Sequence, residues 1–113
     1  MLHQMKLRNT PFVKIKEGSK KVELRLYDEK RQLIKEGDVI EFTNVETEEK
    51  LSVNVVKLNI YNSFKELYEN MNITLLGYSK EDSPCYTDME EYYSKEEQQK
   101  YGVVGIEISV ILK

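Results

Sequence analysis

The residues from 18 to 31 read GSKKVELRLYDEKR, and the rest of the chain can be understood from this stretch outward. After the glycine, apolar and charged side chains alternate with the two-residue period of a β-strand, which we predict over residues 21–26. One face of this strand is apolar, and the other carries Lys21, Glu23, Arg25 and Tyr27. A strand face so rich in charge is either a solvated sheet edge or the wall of a polar site.

A strand and a short helix are predicted before this stretch. Residues 3–8 alternate apolar and polar side chains, as a half-buried first strand does. Asn9 or Thr10 can cap the helix that follows, and Gly18 is placed to end it in the left-handed conformation. On this helix we expect Lys14 to face the solvent.

Three more strands and three helical segments are predicted after it. The strands cover residues 38–43, 50–60 and 103–112, and the last is expected to be central in the sheet. The first helical segment begins after Asn62 or Ser63, and the other two cover residues 86–93 and 94–100. The apolar period changes parity between Val55 and Val56, which indicates a β-bulge. Because such bending helps to close a small barrel, residues 1–113 are predicted to form one α+β domain with a small β-barrel of five or six strands flanked by short helices.

Composition limits the class of protein. With 113 residues, 40% of them hydrophobic and 33% charged, the chain fits one globular domain with a genuine core. No apolar run approaches the roughly 18 residues of a membrane span, and the N-terminus lacks the apolar region of a signal peptide. The single cysteine, Cys85, cannot form an internal disulfide. We therefore expect a cytoplasmic protein without contact to a membrane.

Charge is divided unevenly along the chain. Residues 1–38 contain ten Lys and Arg against six Asp and Glu, whereas residues 39–113 contain seven against fourteen. A protein that coats nucleic acid non-specifically would be basic overall, and this chain carries a net charge of −3. Contact with a polyanion is therefore expected at one basic patch, in the part of the chain that contains residues 18–31.

Several kinds of site are not indicated. His3 is the only histidine and Cys85 the only cysteine, so no zinc spacing exists, and neither a metal nor another cofactor is predicted. Gly102 and Gly105 lead into a strand and not a helix, so they do not form a phosphate loop. The tyrosines of the acidic second half form either a partly buried helical layer or a wall for stacking bases.

Four positions of the opening stretch match a known pattern. Gly18-x-Lys20-x-x-Glu23-x-Arg25 resembles the signature of ASCH domains, which are relatives of the PUA RNA-binding domains. A Pro-Phe helix before it, a Gly-Asp turn after it and a final Tyr-Gly-Val strand also agree with that family. The resemblance covers essentially the whole chain. It implies a PUA-like β-barrel with a cleft beside the motif, and a role in binding RNA.

Some members of the family that this chain resembles are hydrolases. Small bacterial N4-acetylcytidine amidohydrolases share this architecture and use the motif lysine with a threonine, at the position where this chain has Glu23. Other members of the family are reported to cut RNA. The absence of the threonine separates this chain from the amidohydrolase pattern.

Three hypotheses follow. In the first, the chain binds RNA, or a nucleotide or nucleoside, through Lys20, Arg25, Lys30 and Arg31, with Glu23 orienting the cations. In the second, it hydrolyses a modified nucleoside or RNA, with Lys20 and Glu23 as the catalytic pair. In the third, the tyrosine-rich acidic helices form a surface for a protein partner or a second copy, and the oligomeric state stays open.

Overall fold

A computed structural model describes residues 1–78, 82 and 84–111. Its strands are β1 (Leu2–Leu7), β2 (Val22–Leu26), β3 (Val39–Asn44), β4 (Lys50–Tyr61) and β5 (Val103–Val110). Its α-helices are α1 (Asn9–Glu17), α2 (Phe64–Asn70) and α3 (Lys95–Tyr101), and short 3₁₀ helices cover Arg31–Leu33, Ile73–Leu75 and Tyr86–Glu91. The bounds of the first four strands agree with the predicted ones to within one residue. β5 ends at Val110, and the predicted last residue, Leu112, lies outside the described residues.

The strands form one curled sheet in the order β1-β3-β4-β5-β2. β1 runs parallel to β3, whereas the other three pairs are antiparallel. β1 and β2 are therefore the two edges of the sheet, and Arg25 Nη2 on β2 donates a hydrogen bond to the carbonyl oxygen of Lys6 on β1 at 2.9 Å. The curl brings both edges together as a half-barrel. This arrangement confirms the predicted α+β class and the small barrel.

The bend in β4 lies where the sequence predicts it. The register between β4 and β5 shifts between Val55 and Lys57, which leaves Val56 as the extra residue of a bulge. β5 is paired on both sides, with β4 and with β2, so it is an interior strand as expected.

A hydrophobic cluster lies on each face of the sheet. One hydrophobic cluster fills the concave face against α1, and its largest members are Phe12, Ile15, Ile40, Phe42 and Ile106. The second lies under α2 and contains Val22, Leu24, Leu26, Phe64, Leu67, Leu76 and Val103. Burial of each such side chain stabilises the fold by roughly 1.5–3 kcal/mol. Because the apolar face of β2 packs on the second cluster, its charged face must point towards the concave side.

The helix ends follow the predictions with one exception. Gly18 ends α1 with a φ of 90°, and the Ser63 side chain caps α2 by accepting from the backbone N–H of Glu66 at 3.2 Å. The predicted cap of α1 was wrong, because Arg8 occupies the cap position and makes no side-chain cap bond. The Asn9 side chain is engaged elsewhere: its Oδ1 accepts from Asn44 Nδ2 at 2.9 Å.

Candidate nucleic-acid interface

Lys20 is held at a fixed position before β2. Its backbone N–H donates to the carbonyl oxygen of Lys14 at 3.0 Å, and Lys20 forms an isolated bridge with Leu76. Its ammonium donates to the carbonyl oxygen of Leu76 at 3.1 Å, and the side chain is only 10% exposed. The motif lysine is thus anchored by main chain on two sides and is largely withdrawn from solvent.

Glu23 lies in the middle of β2 on its concave face, opposite Ile106 of β5. The residue is 5% exposed, and its Oε1 accepts from the backbone N–H of Leu24 at 2.9 Å. Lys20 Nζ lies 3.8 Å from Oε1, and Arg25 Nη2 lies 3.4 Å from Oε2. A carboxylate at this depth must be paired or hydrogen-bonded, and Glu23 is both. The Glu23 and Arg25 side chains on this face of β2 are therefore largely withdrawn from solvent, unlike those of a solvated edge.

Burial changes the proton affinity of Lys20. Loss of hydration lowers the pKa of its ammonium, and the nearby Glu23 carboxylate opposes this by raising it. The positive charges of Lys14 and Arg25 lower the pKa further, and the net direction is downward. Lys20 therefore gives up its proton more readily than a lysine in water does.

Lys14 lies near Lys20 and is partly buried, so the expectation that it faces the solvent was wrong. Its ammonium donates to the carbonyl oxygen of Gly77 at 2.9 Å, next to the Leu76 carbonyl that Lys20 binds. Lys14 precedes the buried Ile15 on α1 and so lies at the border of the inward face. Its partner is 63 residues away in the chain, and no local pattern indicates that contact.

An open cavity of about 340 Å³, which we call the motif cleft, is lined by Lys20, Glu23 and Arg25 among others. Its lining comprises Lys6, Leu7, Arg8, Pro11, Lys20, Glu23, Leu24, Arg25, Met89, Tyr92 and Tyr93. This volume lies near the lower end of the range of roughly 300–1,000 Å³ for small-molecule sites. Among the described residues, Glu23 is the one carboxylate that lines the cleft, so its charge is outweighed by the surrounding cations.

The tyrosine-rich acidic segment, residues 86–93, forms the outer wall of the motif cleft. Tyr92 is 59% exposed, whereas the Tyr93 ring stacks on Phe64 with 5.6 Å between the ring centroids. This segment presents Met89, Tyr92 and Tyr93 to the cleft, while its Glu90 lines a different cavity. The described acidic residues of this segment therefore do not line the motif cleft, and its wall there consists of Met89 and two tyrosines. The packed Tyr93 ring agrees with the predicted partly buried layer, and the stacking wall stays a prediction, for which the exposed Tyr92 is the candidate.

Lys30 and Arg31 do not reach the motif cleft. They line a second cavity of about 420 Å³, which we call the basic cavity. Arg31 Nη1 is paired with Asp28 Oδ2 at 3.1 Å. Arg25 lines both cavities, so the structure brings Lys20, Glu23 and Arg25 together and leaves Lys30 and Arg31 on the other side of Arg25.

No metal site or membrane span emerges from the described part of the chain. Within residues 1–78, 82 and 84–111, no three His, Cys, Asp or Glu side chains are grouped as metal ligands would be. None of the helices in these ranges is long and apolar enough to cross a bilayer. His3 Nε2 lies 2.8 Å from Asp38 Oδ2, which ties β1 to the residue before β3.

The whole chain is similar to a described family and to solved structures. Residues 5–111 match the protein family described as ASCH domain. The crystal structure of hypothetical protein PH0355 is 38% identical and superposes with a TM-score of 0.83, covering 98% of this chain and 100% of that one. The solution NMR structure of protein PF0455 from Pyrococcus furiosus is 37% identical, with a TM-score of 0.77 and 100% of both chains covered. No curated protein is significantly similar in sequence.

Proposed function

The chain belongs to the ASCH domain family, and from this premise we propose that it is an RNA-binding module whose ligand enters the motif cleft. Lys20 and Arg25 contact phosphate or base edges there, Glu23 orients both cations, and Lys30 and Arg31 extend the positive surface beyond Arg25. The observation that carries the proposal is the surplus of positive charge around one buried carboxylate, beside an exposed tyrosine.

The charge surplus favours an anionic ligand. Lys20 and Arg25 flank Glu23, so two cations share one carboxylate. The bonds that Arg25 makes to Glu23 and to the Lys6 carbonyl both use Nη2, which leaves other N–H groups of its planar fork for a ligand. A guanidinium held in this way suits a phosphate or the edge of a guanine.

The aromatic wall favours a nucleobase over a simple anion. Tyr92 is the exposed ring at the cleft, and Met89 and Tyr93 continue the apolar surface beside it. Stacking of a base on an aromatic side chain contributes roughly 1–3 kcal/mol and tolerates any base sequence. Single-stranded RNA offers unstacked bases and phosphates together, which matches this combination of surfaces.

Charge reversal tests the proposal. The variants Lys20→Glu and Arg25→Glu should each weaken binding of a fluorescent single-stranded RNA by at least about tenfold, and wild-type affinity should fall steeply with added salt. Lys21→Glu is the matched control, because it makes the same change in net charge at the neighbouring position. The Lys21 side chain is exposed and lies outside the motif cleft. Equal affinities for the wild type, Lys20→Glu and Lys21→Glu in anisotropy titrations would refute the proposal.

A second candidate function is hydrolysis of a modified nucleoside or of RNA, and the state of Lys20 favours it. A buried lysine with a lowered pKa, 3.8 Å from a carboxylate, can accept and return a proton. The expected result is turnover of an acylated nucleoside, followed by chromatography, that is lost in Lys20→Ala and kept in Lys21→Ala. An absence of product across acylated nucleosides and RNA would rule this candidate out and leave the binding proposal untouched.

A further inference from the structure

We propose that the basic cavity is a phosphate subsite, so that the ligand is a strand or nucleotide whose base occupies the motif cleft and whose adjoining phosphate lies beyond Arg25. This inference rests on the proposed RNA binding and adds which part of the ligand each cavity takes. It separates ligands that carry a phosphate next to the base from free nucleosides, which do not.

The lining of the basic cavity carries a surplus of positive charge. Arg25 and Arg31 are paired with Glu23 and Asp28, which lie outside the lining, and no ion pair among the described residues involves Lys6 or Lys30. The lining comprises Gln4, Met5, Lys6, Arg25, Lys30, Arg31 and Thr43, all of them described residues and none of them acidic. The neutral Gln4 and Thr43 side chains are polar and can supply hydrogen bonds. A cavity with four cationic side chains and two neutral polar ones has the chemistry of a phosphate site.

Arg31, which lines the basic cavity, also has one donor without a partner among the described residues. Its Nη1 is paired with Asp28, but its Nε is buried and, within the described residues, has no hydrogen-bond partner. A buried donor without a partner costs roughly 1–3 kcal/mol, so such groups are seldom left unmatched. An anion bound in the basic cavity would meet the Arg31 side chain, which forms part of its lining.

The two cavities adjoin at a single contact. Lys6 and Arg25 line both of them, and the hydrogen bond from Arg25 Nη2 to the Lys6 carbonyl oxygen runs between the same two residues. A ligand crossing this contact would have its base beside Tyr92 and its phosphate beside Lys30. A nucleoside would fill the motif cleft alone and leave the charge of the basic cavity unmatched.

Calorimetric titration with a matched ligand series tests the inference. The ligands are the four ribonucleosides, their 3′- and 5′-monophosphates, and a single-stranded RNA octamer of mixed sequence. For the wild type we expect at least one monophosphate to bind about tenfold more tightly than its nucleoside. Lys30→Gln should reduce this ratio about fivefold and lower the salt dependence of octamer binding by about 0.7 in the log–log slope. Lys30→Arg should restore both, and Lys57→Gln, an exposed lysine of β4 outside both cavities, should change neither.

The outcomes separate this inference from the proposed function. If nucleosides and monophosphates bind equally and Lys30→Gln behaves like Lys57→Gln, while Lys20→Glu still abolishes octamer binding, the phosphate subsite is wrong and the RNA-binding function stands. If the wild type binds neither the octamer nor any monophosphate, both proposals are overturned. A phosphate preference that Lys30→Gln removes and Lys30→Arg restores supports the subsite.

Discussion

Arg25 Nη2 on one edge strand donates a hydrogen bond of 2.9 Å to the carbonyl oxygen of Lys6 on the other edge strand. The same nitrogen lies 3.4 Å from the buried carboxylate of Glu23. One guanidinium therefore joins the two edges of the sheet, neutralises a buried charge and separates the two candidate ligand cavities. Arg25 has a structural role and a proposed binding role at once, and the predictions below are designed to separate such roles.

Replacing Arg25 should cost stability as well as affinity. Arg25→Gln removes a cation from Glu23 and weakens the link between β1 and β2, so we expect the free energy of unfolding to fall by about 1–3 kcal/mol. Urea unfolding followed by circular dichroism measures this change. Lys21→Gln, an exposed neighbour, should unfold within about 0.5 kcal/mol of the wild type. An Arg25→Gln protein as stable as Lys21→Gln would show that the link between the edges is dispensable.

Lys20 should make the stability of the protein depend on pH in the alkaline range. Because burial lowers the pKa of Lys20 in the folded state, the unfolded chain binds more protons between that lowered pKa and 10.5. The contribution of Lys20 to the free energy of unfolding should therefore rise with pH through this window. At lower pH the buried ammonium is charged, and it destabilises the fold most there. The advantage of Lys20→Met over the wild type should shrink as the pH rises from 7 towards 10.5.

Urea midpoints at pH 7, 8.5 and 10 measure that difference. Lys21→Met is the control, because its side chain is exposed and its replacement should leave the pH dependence as it is in the wild type. A constant offset between Lys20→Met and the wild type over this range would contradict the lowered pKa.

Asp38 should contribute to stability in the acidic range. The hydrogen bond with His3 Nε2, at 2.8 Å, and the one from the backbone N–H of Lys35 lower the pKa of Asp38 to about 2. A carboxyl group with a depressed pKa stabilises the fold above its unfolded pKa of 3.8, and this stabilisation is lost as the pH falls towards 2. Asp38→Asn should therefore lose less stability than the wild type between pH 5 and pH 2, as measured by urea midpoints.

A control for Asp38 is available on α1. Glu17→Gln changes an exposed carboxylate that has no hydrogen-bond partner among the described residues, and it should keep the acid sensitivity of the wild type. If Asp38→Asn and the wild type lose stability in parallel, the contact between His3 and Asp38 does not hold β1 in place.

Much of the fold could be predicted because it is written in local patterns. Alternation along residues 22–26, the parity change at Val55 and the cap at Ser63 each depend on neighbours in sequence, and the structure confirms all three. The parallel pairing of β1 with β3 joins residues far apart in the chain, so no local period specifies it. The same reason explains the cap of α1, where the Asn9 side chain is engaged by Asn44.

The candidate site was predictable in its residue types and less so in its geometry. The motif pattern identified Lys20, Glu23 and Arg25, which the structure brings into one cluster. It could not separate Lys30 and Arg31 from them, because their separation depends on Arg25 reaching across to β1. It also missed Lys14, whose contact with the Gly77 carbonyl forms only after the chain has folded.

Tyr92 offers the sharpest test of the aromatic wall, because its ring is exposed and its replacement should leave the fold intact. Tyr92→Ser should weaken binding of single-stranded RNA by about 5- to 150-fold, which corresponds to the roughly 1–3 kcal/mol of one stacked base, while Tyr92→Phe should bind like the wild type. Tyr93→Ser is the contrasting variant, since its ring packs on the buried Phe64 and its loss should lower the unfolding free energy. Anisotropy titrations of the Tyr92 variants, with urea unfolding of all three, measure both effects. Full affinity in Tyr92→Ser would show that Tyr92 stacks on no base, and RNA binding would then depend on the cationic side chains.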